Sequence, residues 1–138
     1  MIKVKVYVLD ASAIIDFAES GRGAGTVERV FNEALRRQNI VLVSVVNWAE
    51  VLCVLWRRRG EDTGRQIMAN LARLPLRITD VDVPQALKAA EIKVLHNMSM
   101  VDSLAAALAE LNGATLVTAD HDFKKLDRRV QMLWLRQA

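Results

Sequence analysis

Met1-Ile2-Lys3-Val4-Lys5-Val6-Tyr7-Val8-Leu9-Asp10 is the stretch whose reading decides the fold. Apolar residues at the even positions Ile2, Val4, Val6 and Val8 repeat with the period of a β-strand. Leu9 adds an apolar group on the opposite face, so the strand is expected to be buried on both faces at its C-terminal end. Asp10 follows where the strand stops. Lysines interrupt the run and Asp10 closes it too early for a secretory core, and no other stretch approaches the ~18 apolar residues of a membrane span. These features predict a cytoplasmic protein with no membrane partner.

Beyond Asp10, a short helix is expected over Ser12 to Glu19, then a flexible link, Ser20-Gly21-Arg22-Gly23-Ala24-Gly25, and a helix over about Thr26 to Gln38. Ile40 to Val43 reads as a buried strand, and the helix after it, about Val45 to Arg59, is stopped by Gly60. The next helix, about Asp62 to Leu74, ends at Pro75, and Leu76 to Val81 has the character of a strand or extended segment. A helix from Pro84 to His96 begins with proline in its first turn. Ser99 caps a helix that runs to Leu111 and ends at Asn112-Gly113. Thr115 to Thr118 is a short buried strand, Asp120 to Leu126 a turn, and Val130 to Leu135 a last strand. Strands alternating with helices predict an α/β fold, a three-layer α/β/α sandwich around a mainly parallel sheet with right-handed crossovers.

The 138 residues suffice for one domain over 1–138 with a sizeable core. Hydrophobic residues at 52% and charged residues at 25% are ordinary for a globular protein and exclude a disordered chain. The single cysteine, Cys53, cannot pair within the chain and reads as a small core residue in a reducing compartment. A formal charge of +3 permits a nucleic-acid partner without establishing one.

Four acidic residues stand in settings that a solvated acid does not need. Asp10 lies between Val6–Leu9 and Ala-Ser-Ala-Ile-Ile, Glu50 has Trp48, Ala49, Val51, Leu52 and Cys53 around it, Asp102 opens a largely apolar helix, and Asp120 follows Ala-Thr-Leu-Val-Thr-Ala. Each has a structural explanation when taken alone: Asp10 and Asp120 as turn formers or caps, Glu50 as an outward-facing helix residue, Asp102 as the fourth residue of a capping box with Ser99. Ligands in open parallel sheets bind beyond the carboxyl ends of the strands, and Asp10 and Asp120 each follow a strand. Gathered there, the acids would repel, each close pair by up to about 4 kcal/mol. A cation relieves that repulsion, and all-oxygen ligation selects Mg²⁺ or Mn²⁺ over zinc. His96 and His121 fit no recognisable triad, which argues against nucleophilic catalysis.

Taken in order, Val8-Leu-Asp10-Ala-Ser12-Ala, Asn47-Trp-Ala-Glu50-Val, Ser99-Met-Val-Asp102 and Leu116-Val-Thr118-Ala-Asp120-His-Asp122-Phe resemble the PIN domains, and in particular the VapC toxins of toxin–antitoxin pairs. The resemblance spans the whole chain. It implies that Asp10, Glu50, Asp102 and Asp120 form the catalytic metal site, that Ser12 and Thr118 supply supporting hydroxyls, and that Asp122 is a further acidic residue beside it. The segment His96 to Met100 departs from the small or glycine-containing turn usual in the family.

The resemblance further implies hydrolysis of an RNA phosphodiester by metal-activated water, leaving a 5′-phosphate and a 3′-hydroxyl. It also implies a homodimer and a cognate antitoxin laid over the site. Arg57-Arg58-Arg59, Arg36-Arg37 and Lys124-Lys125 with Arg128-Arg129 are candidate phosphate contacts, although positive charge at helix C-termini is favoured without any ligand. The apolar surface of the helix around Trp48 to Trp56 reads either as a protein interface or as the mark of a central helix. Other readings are a PIN nuclease of RNA processing and a non-catalytic RNA-binding or regulatory domain. A phosphatase of the haloacid-dehalogenase type would want a second aspartate where this chain has Ser12.

Overall fold

Five strands form one parallel sheet, β3-β2-β1-β4-β5, in a computed structural model that describes residues 4–135. In chain order the strands are β1 (Lys5–Leu9), β2 (Asn39–Ser44), β3 (Arg77–Thr79), β4 (Thr115–Thr118) and β5 (Gln131–Trp134). Ile2 lies outside the described residues. The central position of β1 explains its sequence: Val8 and Leu9 are fully buried and point to opposite faces. Val8 joins Leu42 and Leu116 in one core, and Leu9 joins Val41, Val43 and Val117 in the other.

Helices cover both faces and give the three expected layers. The face of Leu9 packs against α1 (Ala11–Ala18), α2 (Ala24–Leu35), α3 (Val45–Arg59) and α4 (Glu61–Leu71). The face of Val8 packs against α5 (Val83–His96), α6 (Met100–Leu111) and a 3₁₀ helix, His121–Leu126. Ser103 to Ala109 of α6 are buried without a break, and the alanines let this helix lie close to both α5 and the sheet. A larger residue at Ala106, which has no exposed surface, would overpack the core at a cost of about 1–3 kcal/mol. That close seating fixes the start of α6, where Asp102 stands.

Four expectations need correction. Cys53 is exposed and not in the core, because α3 buries Asn47, Val51 and Leu55, a spacing of four that turns Cys53 outward. The segment 20–25 is an ordered turn and not a flexible link: the Gly21 and Gly23 N–H groups donate to Asp16, at 2.8 Å to its carbonyl and 2.7 Å to Oδ2. A Cβ on Gly21 would fall 1.8 Å from Asp16 Oδ1, so the glycines serve close approach and α2 starts earlier than expected. At its C-terminal end, α4 gives way at Leu71 to a turn that precedes Pro75. Only Arg77–Thr79 of the extended segment pairs as a strand, because it forms the sheet edge with β2 as its one neighbour.

Candidate metal centre

The chain runs from β1 outward to β2 and β3, then returns to place β4 on the other side of β1. The direction of winding therefore reverses between β1 and β4, which leaves a crevice at their C-terminal ends. Asp10 and Asp120 stand at those ends, and the starts of α1 and α6 close the crevice. The resulting cleft, about 400 Å³, is lined by Asp10, Ser12, Glu50, Ser99, Asp102 and Asp120 together with apolar Ile15 and Val54. It gathers every acidic residue expected as a ligand.

Asp10 is buried and held by hydrogen bonds on both oxygens. Its Oδ1 accepts from Ser12 Oγ at 2.7 Å and from the Ala13 N–H at 2.9 Å, and its Oδ2 accepts from Thr118 Oγ1 at 2.6 Å. Thr118 Oγ1 also accepts the Asp120 N–H at 2.9 Å, and Ser12 Oγ accepts the Ala119 N–H at 2.9 Å. The two hydroxyls thus lock β4 to the start of α1. Burial raises the Asp10 pKa to about 6 even though Thr118, Ser12 and Ala13 all favour its charged form. With about four acceptor sites on a carboxylate, three are used here and one on Oδ2 remains for a ligand.

Asp102, Asp120 and Asp122 each offer an oxygen within 4.8 Å of the others. Burial, and then the negative charge of Asp120, raise the Asp102 pKa to about 6, with further contributions from Asp122 and Glu50. Structural and site roles coincide at three of these acids. Asp10 caps α1, Asp120 accepts the Asp122 N–H at 2.9 Å as cap of the 3₁₀ helix, and the Asp102 N–H donates to the capping Ser99 Oγ at 3.1 Å. The positive ends of α1 and α6 consequently face the acids and offset part of their charge. Oxygen donors gathered in this way suit a hard divalent cation, which takes carboxylates and water as ligands.

Asn47, the first residue of the Asn47-Trp-Ala-Glu50 motif, carries no expected role in the site. It is buried in the first turn of α3, where its amide bridges Ala11 and Val101, the neighbours of Asp10 and Asp102. A carboxamide three residues before Glu50 on an otherwise apolar helix face was the available signal.

The candidate phosphate contacts separate by position. Arg58 and Arg59 both pair with Glu19, Arg59 at 3.6 Å, while Arg57 is exposed two turns beyond Glu50 on the same face of α3. Lys125 Nζ donates to the Asn97 carbonyl at 3.1 Å and so steadies the loop before α6, and Lys124 is exposed. Asn97 in that loop adopts φ 54° and ψ 54°, the left-handed turn for which glycine is more usual and which asparagine tolerates. Arg36 and Arg37 precede β2 and therefore lie at the opposite end of the sheet. Arg129 is engaged by Glu110 and Glu91, each at 2.8 Å.

Solved structures with the same fold include VapBC2 from Rickettsia felis bound to a DNA fragment from its promoter, at TM-score 0.76 and 16% identity over 95% of this chain and 99% of that one. DNA-bound VapBC from Salmonella typhimurium gives 0.71 and 15% over 95% and 98%. VapC20 from Mycobacterium tuberculosis, a sarcin-ricin loop cleaving toxin, gives 0.68 and 22% over 86% and 92%. At these identities the likeness is one of fold. No curated protein matches the chain in sequence. The sequence model of the PIN domain matches residues 7–129. Since that match runs through every strand and helix end that carries an acid of the cleft, the chain belongs to the PIN domain family.

Proposed function

We propose that the chain, acting as one domain over 1–138, is an Mg²⁺- or Mn²⁺-dependent endoribonuclease and the toxin of a VapBC-type toxin–antitoxin pair. The observation that carries this reading is the convergence of Asp102, Asp120 and Asp122 within 4.8 Å in a cleft also lined by Asp10 and Glu50. Asp102 and Asp120 would hold the cation, Asp10 would add its one free acceptor site, and Asp122 and Glu50 would complete the set or orient water. A cation held by these residues would supply Lewis acidity, making a water more acidic and offsetting negative charge on a phosphate.

The protein's own part is to fix Asp10, Asp102 and Asp120 at helix starts and Glu50 on α3, and to grip RNA through Arg57 and Lys124. The solved VapBC complexes of the same fold support an antitoxin as partner. An apolar groove of about 480 Å³ between α3 and α4, lined by Trp48, Leu52 and Met68, offers a protein-binding surface, and exposed Val83, Leu87 and Val94 along α5 support a homodimer.

Incubating purified protein with a pool of single-stranded and structured RNA tests the reading. Cutting in Mg²⁺ or Mn²⁺ that EDTA stops and Asp102→Asn abolishes is the expected result. Cutting that survives both would show that the acids are not the site.

A further inference from the structure

Asn47 occupies a position that no ligand role explains. It is 1% exposed, on the helix that also carries Glu50. Its Oδ1 accepts the Ala11 N–H at 3.2 Å and its Nδ2 donates to the Val101 carbonyl at 3.3 Å. Ala11 follows Asp10 directly and Val101 directly precedes Asp102. One side chain on α3 thus joins the backbone beside two acids that are far apart in sequence and that repel one another.

The joint requires a donor and an acceptor on the same short side chain. Aspartate would bring acceptors alone, leucine neither, and a single hydroxyl is too short to reach both partners. The chemistry of the site makes the spacing matter, because Mg²⁺ holds its oxygens at about 2.0–2.1 Å in a demanding octahedron. Without the tie, the backbone beside Asp10 and the backbone beside Asp102 lose their shared anchor on α3.

We propose that Asn47 is the positioning residue that sets the separation of Asp10 and Asp102, and through it the affinity of the cleft for a divalent cation. This rests on the reading of the cleft as a metal site. Loss of a residue that orients ligands in this way weakens metal binding by about 10–100-fold.

The test is a calorimetric titration of the full chain with Mn²⁺, at a temperature where circular dichroism shows each variant folded. Wild type, Asn47→Leu, Asn47→Thr and Asp102→Asn are compared, and the thermal midpoint of each is recorded without metal. The proposal expects binding by wild type, its loss in Asp102→Asn, and about 10–100-fold weaker binding by Asn47→Leu and Asn47→Thr in their folded state. Should Asn47→Leu fail to fold, the shorter Asn47→Thr decides. Wild-type affinity in a folded Asn47 variant with a lowered midpoint would mean that the amide only satisfies two backbone groups, and the proposal alone would fall. No Mn²⁺ binding by wild type, or full binding by Asp102→Asn, would instead remove the metal site and the proposal with it.

Discussion

Asp10 and Asp102 face each other across one cleft, both with a pKa raised to about 6, yet they are held by opposite means. Around Asp10 the protein supplies Ser12, Ala13 and Thr118 as donors, so burial is the main obstacle to its ionisation. Around Asp102 the surroundings are more acids, Asp120, Asp122 and Glu50, eased by the Ser99 hydroxyl. One half of the site is complete as folded, and the other half would be completed by the proposed cation. A mutation in the first half should therefore act on geometry, and one in the second on charge.

Asp120→Asn attacks the charged half and, after Asp102→Asn, carries the largest expected effect on activity. Cleavage should fall by more than about a hundredfold, beyond what loss of a supporting residue costs. The same substitution removes repulsion, so the metal-free protein should melt about 3–5 °C higher, corresponding to about 1 kcal/mol. A lower midpoint in a scan without metal would contradict the contrast between the halves.

Thr118→Val attacks the ordered half at nearly constant shape. It strips Asp10 of its shortest hydrogen bond and leaves the Asp120 N–H without its acceptor. Mn²⁺ affinity should drop by about 10–100-fold, and stability should fall by about 2 kcal/mol for the lost bond to a charged group. Calorimetry and chemical denaturation read the two effects separately, and a loss of affinity without any loss of stability would count against the scaffold role.

Protons sharpen the comparison further. For Asp10 and Asp102 the folded state binds protons up to about pH 6, whereas the unfolded chain releases them near the ordinary value of 3.8. Their contribution to stability is therefore fully present below pH 3.8 and is lost as pH rises to about 6. The thermal midpoint of metal-free Asp102→Asn should fall less across that window than that of wild type. Added Mn²⁺, which selects the ionised acids, should raise the wild-type midpoint more at pH 7.5 than at pH 5, and equal rises would remove the assigned titrations. The smallest effect is expected at exposed Asp122: Asp122→Asn should cost less than about tenfold in Mn²⁺ affinity, because water replaces an exposed ligand readily.

Much of this was legible because cap chemistry and strand position are local properties. Ser99 announces α6, Gly60 ends α3, and an aspartate after each of β1 and β4 follows from chain order and the sheet rule. What stayed hidden needed three-dimensional neighbours. Cys53 sits on a helix apolar on nearly every side, so periodicity alone could not say which side meets the sheet. The same pattern concealed Trp56, which is exposed with the Arg65 guanidinium 5.2 Å from its ring. Asn47 was invisible as a tie because both of its partners are backbone groups supplied by other elements. The glycines near Asp16 looked like slack and are instead spacers for a half-buried carboxylate.

The bond from Thr118 to Asp10 joins positions 108 residues apart, and this gives the site an order in time. As the chain leaves the ribosome, Asp10, Glu50 and Asp102 emerge before the strand that locks the first of them and carries Asp120. Until β4 slots in beside β1, Asp10 lacks its Thr118 donor and the acidic cluster lacks a member. Long-range parallel pairing of this kind is slow to form. The acidic cleft is therefore assembled only once the chain through Asp122 has been made and β4 has paired, and a ribosome carrying a shorter chain carries an incomplete site.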